Sequence, residues 1–372
     1  MSRHILRILT TVTFVCILFG CTKRESTKIQ IGAIFDLTGS LSYMGKWSQQ
    51  GAQMAIDELN QKHSAATTAV QLLVEDGETK PDKTVSAFRK LIDFDHVQIV
   101  IGFNSSSGVM AAAPIANEKK ILLFSTGGAS PSITNAGDYV FRNRLSGALE
   151  VSAMADIAVD SLKIRRLGIL YINNDYGTGY RDVFREKFIE RGGSVVIEEG
   201  FEQDKTDFRT HILKFKSESS LQAVYLIPYA KEGGYILKQS KELGFATTWL
   251  SANAIEGPQL FEIAGDAAEG LMYTVARYDP ADSLAIEFNR RYKAKFGIDS
   301  EMFAANAYDA VMILSEAISQ VGATGPALKE YLYHMRPYKG VSGWTSFDRN
   351  GDVIKSVMIK IVHNGRFVPY SF

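Results

Sequence analysis

Cysteine is nearly missing from this chain. Its 372 residues hold two, Cys16 and Cys21, and both stand in the N-terminal stretch. Everything beyond that stretch folds without a disulfide, so its stability has to come from a large apolar core. Histidine is sparse as well. The six (His4, His63, His96, His211, His334 and His363) are scattered, with no HExxH and no Cys/His spacing for a metal. Excess charge is also absent: 41 basic side chains meet 41 acidic ones, which leaves no basic face for nucleic acid. The sequence has no GxSxG elbow, no GxxxxGK[ST] phosphate loop and no repeat at solenoid periods. Acidic residues are plentiful, yet nothing in the sequence pairs any two of them. No enzyme activity, metal or cofactor is expected.

What is present begins with a leader. "MSRHILR" is a short basic start, and "ILTTVTFVCILF" follows as an apolar run of about twelve residues, too short to span a bilayer. "LFGC", Leu18 to Cys21, then places a small residue directly before a cysteine, in the manner of a bacterial lipobox. Residues 1–20 are expected to be a signal peptide, Cys21 the lipidated residue, and residues 21–27 a polar tether. The protein is thus expected outside the cytoplasm, held to the membrane by its lipid and facing the periplasm or the cell exterior. Thr22 after the cysteine, where Asp is absent, favours the outer membrane in a cell that has one.

From Lys28 onward, strand-like and helix-like segments alternate. "KIQIGAIFDL" precedes "MGKWSQQGAQMAIDELNQ", where Trp47, Met54, Ala55 and Leu59 fall near helical spacing. "VQIVIG" leads into "SGVMAAAPIANEK", and "ILLFST" follows. A second series starts at "LGILYIN" and runs through "YRDVFREKFIERGG", "SVVIEEGF", "AVYLIPY" and "TWLSAN". Most of these strands are continuous apolar runs, which points to parallel sheets buried on both faces. Two such series with right-handed crossovers predict an α/β fold of two doubly wound lobes. Near the end, Asn364-Gly365 between alternating segments predicts a two-residue hairpin.

In open parallel sheets, ligands bind beyond the carboxyl ends of the strands. "IVIGFNSSSGV", Ile99 to Val109, ends a strand there with three serines in a row. One serine suffices to cap the next helix. The others, with the backbone N–H groups of a helix start, can hold an anion or carboxylate. "FSTGGASP", Phe124 to Pro131, offers bare backbone for close approach. "NNDYGTGY" offers Tyr176 beside another helix start, either as a lid over a ligand or as a surface tyrosine. "DRNGD", Asp348 to Asp352, lacks the later acidic residue of a calcium loop and reads as a turn.

Taken together, these residues resemble the type I periplasmic-binding-fold proteins of the branched-chain amino acid (Leu/Ile/Val-binding) family, the extracytoplasmic receptors of ABC importers. The resemblance runs from about Ile29 to Phe367 and includes "IGAIFDLTGSLSYMG", "GAQMAIDELN", "YVFRN", "TDFRTHILKFK", "GGYILKQSKELGF", "AEGLMYT" and "GVSGWTSFDRNGD". It implies two lobes joined by three crossovers that close on a ligand by hinge motion. The crossovers fall near Leu145, Thr274 and Ser342. The first lobe then comprises residues 28–145 and 275–341, and the second residues 146–274 and 342–372. The serine that holds the ligand carboxylate in the family maps to Ser106, or to Ser107 if the register slips. The neighbouring loop maps to Gly127, Gly128 and Ala129, the second-lobe tyrosine to Tyr176, and a cleft wall to Tyr229. Expected partners are a small polar ligand and a membrane permease, with the chain acting as a monomer.

The departures from the family pattern bear on the ligand. Ala129 stands where amino acid binders usually carry a Thr, and Asn253 stands near their usual carboxylate for the ligand ammonium. "LSGALE" lacks the Asp and Gln common at the first hinge. Glu150 or Glu256 is left as a substitute for that carboxylate. The carboxylate half of the site is therefore expected to be kept and the ammonium half altered. Tyr176, Tyr229, Phe103 and Trp47 are left either as walls of an apolar pocket or as lobe packing. A rival reading is a lipoprotein that senses its ligand for a signalling or envelope partner without transport.

Overall fold

The computed structural model describes residues 29–62, 69–279 and 281–372. The expected leader, Cys21 and the tether lie outside the described residues.

Each lobe is built from five parallel strands laid down in the same order. In the first, β1 (Ile29–Phe35), α1 (Ser42–Lys62), β2 (Val70–Asp76), α2 (Pro81–Arg89), β3 (Ile99–Gly102), α3 (Ser106–Lys119), β4 (Leu122–Ser125) and β5 (Val140–Arg142) form a sheet ordered β2-β1-β3-β4-β5. The chain then crosses to α4 (Gly147–Asp156) and repeats the pattern. β6 (Arg166–Ile172), α5 (Asp175–Glu190), β7 (Ser194–Phe201), α6 (Arg209–Ser217) and β8 (Ala223–Ile227) come first. α7 (Ala230–Glu242), β9 (Thr248–Ser251), α8 (Pro258–Ala264) and β10 (Met272–Ala276) complete it. Their strands run β7-β6-β8-β9-β10, all parallel. A return crossing brings α9 (Ser283–Phe296), α10 (Met302–Val321) and α11 (Gly325–His334) onto the first lobe, beside the small ladder of β11 (Tyr338–Gly340) and β12 (Gly343–Thr345). The last crossing adds β13 (Val357–His363) and β14 (Arg366–Tyr370) antiparallel to the edge of the second sheet.

The continuous apolar runs have the reason expected of them. Ile31, Ala33, Ile99, Ile101, Leu122 and Phe124 face the α9–α10 side, while Ile34, Val100 and Leu123 face α2 and α3. Both faces are dry, so neither face of a strand can carry polar side chains. The second lobe has one continuous core, from Leu167 and Ile169 to Phe184, Tyr225 and Tyr273. At the C-terminus, Asn364 (φ 51°) and Gly365 (φ 67°) turn the predicted hairpin, with His363 paired to Arg366.

The crossings differ from their expected positions at two points. Thr274 lies inside β10, and the chain leaves the second sheet only after Ala276. Residues 343–352, expected with the second lobe, pack on the first. There the Phe347 ring meets Phe124 at 5.7 Å and Phe141 at 5.3 Å, and Asp352 Oδ1 accepts from buried Arg142 Nε at 2.5 Å. "DRNGD" is the turn that delivers Asp352 to that arginine: Asp348 Oδ1 accepts from Asn350 N and Asp352 N. No group of three or more potential metal ligands occurs among the described residues.

Candidate ligand-binding cleft

In both sheets the strand order reverses between the first and third strand, β1/β3 in one lobe and β6/β8 in the other. Loops on the two sides of such a point diverge and leave a crevice at the carboxyl ends of the strands. The lobes bring their two crevices face to face.

The three serines after β3 do three different things. The chain turns sharply on Gly102 (φ 104°) and Phe103 (φ 55°), a conformation unusual for a bulky side chain. Ser105 then caps α3, its Oγ accepting from Gly108 N at 3.4 Å. Ser106 Oγ accepts from Ala129 N at 3.2 Å and Ser130 N at 3.1 Å, which ties the two loops together and leaves its own O–H free to donate. Ser107 reaches across the cleft, where its Oγ accepts from Asp175 N at 3.2 Å.

A small cavity lies between the lobes, with about 20 Å³ of room for the centre of a water-sized sphere. Ser106, Gly127, Ala129, Tyr176, Tyr229 and Asn253 all line it, so six of the expected site residues meet there. Ser107 and Gly128 lie outside its lining. Gly127 is required by proximity: a Cβ there would come within 2.8 Å of Asn104 Cα. Tyr176 stacks on Tyr229 with ring centroids 5.7 Å apart, and Asn174 Nδ2 donates to Tyr229 Oη at 3.1 Å. Burial pushes the phenols of Tyr176 and Tyr229 well up from their ordinary range, so both stay neutral. Tyr176 Oη is buried without a partner, as is Asn104 Oδ1, whose amide nitrogen donates to Ser48 Oγ at 2.9 Å. A buried polar atom left unpaired is costly, and two of them face one small cavity.

The cavity lining holds no carboxylate. Glu150 lies behind Asn253, fully buried, and its acceptor positions are occupied. Oε1 accepts from Arg144 Nη2 at 2.6 Å and Ala276 N at 3.0 Å; Oε2 accepts from Tyr180 Oη at 2.8 Å and from Asn253 Nδ2. Glu256 is turned the other way, 2.5 Å from Lys360 Nζ. Neither acid is therefore free at this cavity for a ligand ammonium.

Comparison with known proteins fixes the kind of protein. Residues 28–363 match the family described as "Periplasmic binding protein". The chain belongs to that family. Its curated relatives include Leu/Ile/Val-binding protein homolog 3 of Brucella melitensis, 25% identical over 351 residues and 94% of each chain. Another is the leucine-, isoleucine-, valine-, threonine- and alanine-binding protein of Pseudomonas aeruginosa, 25% identical over 339 residues and 90% of each. Among solved structures, a leucine-binding protein from Thermotoga maritima superposes with a TM-score of 0.84 at 29% identity, covering 92% of this chain and 98% of that one. This is an extracytoplasmic family of binding proteins, not of enzymes.

For a two-lobed binding protein, the contacts across the cleft define its state, and here the lobes touch. Ser130 Oγ donates to Asp175 O at 2.7 Å, Tyr43 Oη to Ala254 O at 3.1 Å, and Ser40 Oγ to Asp204 Oδ1 at 2.7 Å. Leu41, Tyr43, Met44 and Phe303 of the first lobe are buried in the core of the second. The conformation is closed.

Some residues at the cleft escaped sequence reasoning. Asp36, at the end of β1, is buried with Oδ1 accepting from Thr79 N at 2.9 Å and Oδ2 unpartnered. Burial pushes its carboxyl up to about 7. The signal was its place at the end of the first strand, in "IFDL". Arg144 and Tyr180 gave no signal. Of the four aromatic residues left open, Phe103 packs on Phe88 in the first-lobe core and Trp47 lines a different cavity.

Proposed function

We propose that this chain is the receptor of an ABC importer, tethered to the membrane by a lipid on Cys21, and that it captures a small carboxylate-bearing molecule without requiring an α-ammonium. The ligand carboxylate takes the Ser106 hydroxyl beside the 127–130 loop, while Tyr176 and Tyr229 close over it from the second lobe. The observation that carries this reading is the cavity lining: a hydroxyl-bearing serine and two tyrosines, two amides, apolar side chains and backbone, with no acid. A desolvated ammonium there would be uncompensated.

Relatives support the carboxylate. The Pseudomonas aeruginosa protein is named for five amino acids. The same fold also holds 3,4-dihydroxybenzoic acid in a Rhodopseudomonas palustris protein, with a TM-score of 0.79. Carboxylate is common to both, and ammonium is not.

Calorimetry decides the matter by comparing leucine, valine and phenylalanine with their 2-oxo and 2-hydroxy acids. The deaminated acids should bind at least as tightly as the amino acids. Micromolar binding of an amino acid, about 8 kcal/mol, with none for its deaminated analogue would sink the proposal.

A further inference from the structure

We propose that the space between the lobes contains a second binding pocket, behind Phe303, that takes an organic ammonium carried on an apolar body. The pocket is a cavity with about 230 Å³ open to water-sized spheres. It lies between the starts of α1 and α10 in the first lobe and strands β10, β13 and β14 of the second. Phe303 forms a wall of both this cavity and the first.

The lining has two kinds of surface. Trp47, Tyr278, Phe303 and Phe367 present aromatic rings, and Trp47 stacks on Phe303 with interplanar angle 16°. Aliphatic side chains fill in around them, and three charged side chains supply the polar part. Glu256 and Lys360 neutralise each other at 2.5 Å. The carboxylate of Glu301 has no hydrogen bond or ion pair among the described residues, so the ionised pocket carries one uncompensated negative charge. Aromatic faces attract cations, and a carboxylate in the same enclosure fixes where the cation sits. A metal ion is a poor fit, since it needs several oxygen or nitrogen ligands and no such group occurs among the described residues. An anionic ligand would be repelled by Glu301.

Burial pushes the Glu301 carboxyl up to about 7, with Glu256 and Asp299 acting in the same direction and Lys360 opposing them. The phenols of Tyr273, Tyr278 and Tyr292 face it as well, and burial keeps all three neutral. An arriving cation prefers the ionised carboxylate, so affinity rises with pH through that range.

The test uses benzyltrimethylammonium, whose charge does not titrate. It is read by Trp47 fluorescence in a Trp249→Phe/Trp344→Phe background, which leaves Trp47 as the sole tryptophan of the three. Saturable quenching is expected, at least fivefold tighter at pH 8 than at pH 6. Glu301→Gln should weaken it tenfold or more and abolish the pH dependence. Its side chain makes no cap bond at the start of α10, so the helix keeps its N-terminal contacts in that variant. Phe367→Leu, which removes a ring from a different element, should weaken binding as well. Failure to saturate in the millimolar range, or affinity unchanged in both variants, overturns the proposal. Ser106→Ala should leave this binding unchanged while weakening carboxylates, so the two cavities fail or stand separately.

Discussion

Removing the negative charge of Glu150 should unsettle the hinge side of the cleft more than any single change at its surface. In Glu150→Gln the remaining carbonyl oxygen can still accept from Arg144 Nη2 and Ala276 N, at 2.6 and 3.0 Å in the native protein. The new amide, however, turns N–H groups toward Asn253 Nδ2, which is itself a donor. The Arg144 guanidinium loses its counter-charge while fully buried, with Nε and Nη1 already lacking partners. Breaking a buried ion pair from one side costs roughly 3–5 kcal/mol, and the retained bonds place the expected loss near the lower end, about 3 kcal/mol. Equilibrium urea unfolding measures it, followed by far-UV circular dichroism and tryptophan fluorescence together to establish that the two transitions coincide. A second arm replaces both charges, as Arg144→Met with Glu150→Leu. Apolar pairs often replace buried ion pairs without loss, so the double variant should recover at least half the deficit. A loss under about 1 kcal/mol in Glu150→Gln, or a double variant as unstable as the single, would refute the reasoning.

The proposed lipid anchor is Cys21, so Cys21→Ser should yield an unlipidated protein; a variant that still partitions with membranes after losing its leader counts against the anchor. With an identified carboxylate ligand, Ser106→Ala should cost about 1.5–3 kcal/mol of binding by calorimetry, since it removes a hydrogen bond to a charged group. Tyr176→Ala should weaken binding from the opposite lobe, and unchanged affinity in both variants rules out this site. Asp36 sets a pH dependence: its carboxyl is raised to about 7, so the folded state holds the proton more tightly than the unfolded chain. Stability is therefore lost as pH rises from about 4 to about 7, by up to roughly 1.4 kcal/mol per unit. Asp36→Asn should lose less stability than the wild type between pH 5 and pH 8, and parallel urea midpoints across that range would contradict the assignment.

Local patterns in the sequence were enough for the sheets but not for the hinge. Runs such as "IVIG" and "AVYLI" are apolar on both faces because both faces are covered, and that property is written residue by residue. The serine cluster was legible for the same reason, since a strand end followed by a helix start is a local event. Arg142 and Asp352, by contrast, are 210 residues apart, and nothing near either one calls for the other. The third crossing was drawn too early for that reason: the ion pair and the Phe347 rings hold the chain on the first lobe past Ser342. Trp47 sits at helical spacing on α1, which fixed its face of the helix. Which of two neighbouring cavities it lines depends on where Phe303 comes in from α10.

The hinge network also bears on why Asn253 is no defect in the cleft. An acid in its place would point into the cavity with nothing to neutralise it until a ligand ammonium arrived. In this chain the acid stands one layer back, as Glu150 on α4, already paired with Arg144 and bonded to Tyr180. Asn253 then spends its amide nitrogen on Glu150, so the side chain is held in one orientation and the cavity keeps a neutral wall. The charge that an amino acid binder would offer its ligand is here spent on joining α4, the 253 loop and β10, through Asn253 Nδ2 and Ala276 N. In the proposed mode of binding, the ligand closes the lobes against this fixed wall, with its carboxylate on the Ser106 side and no call on the acid behind it. In the proposed second pocket, a cation would instead meet the carboxylate of Glu301, on the far side of Phe303.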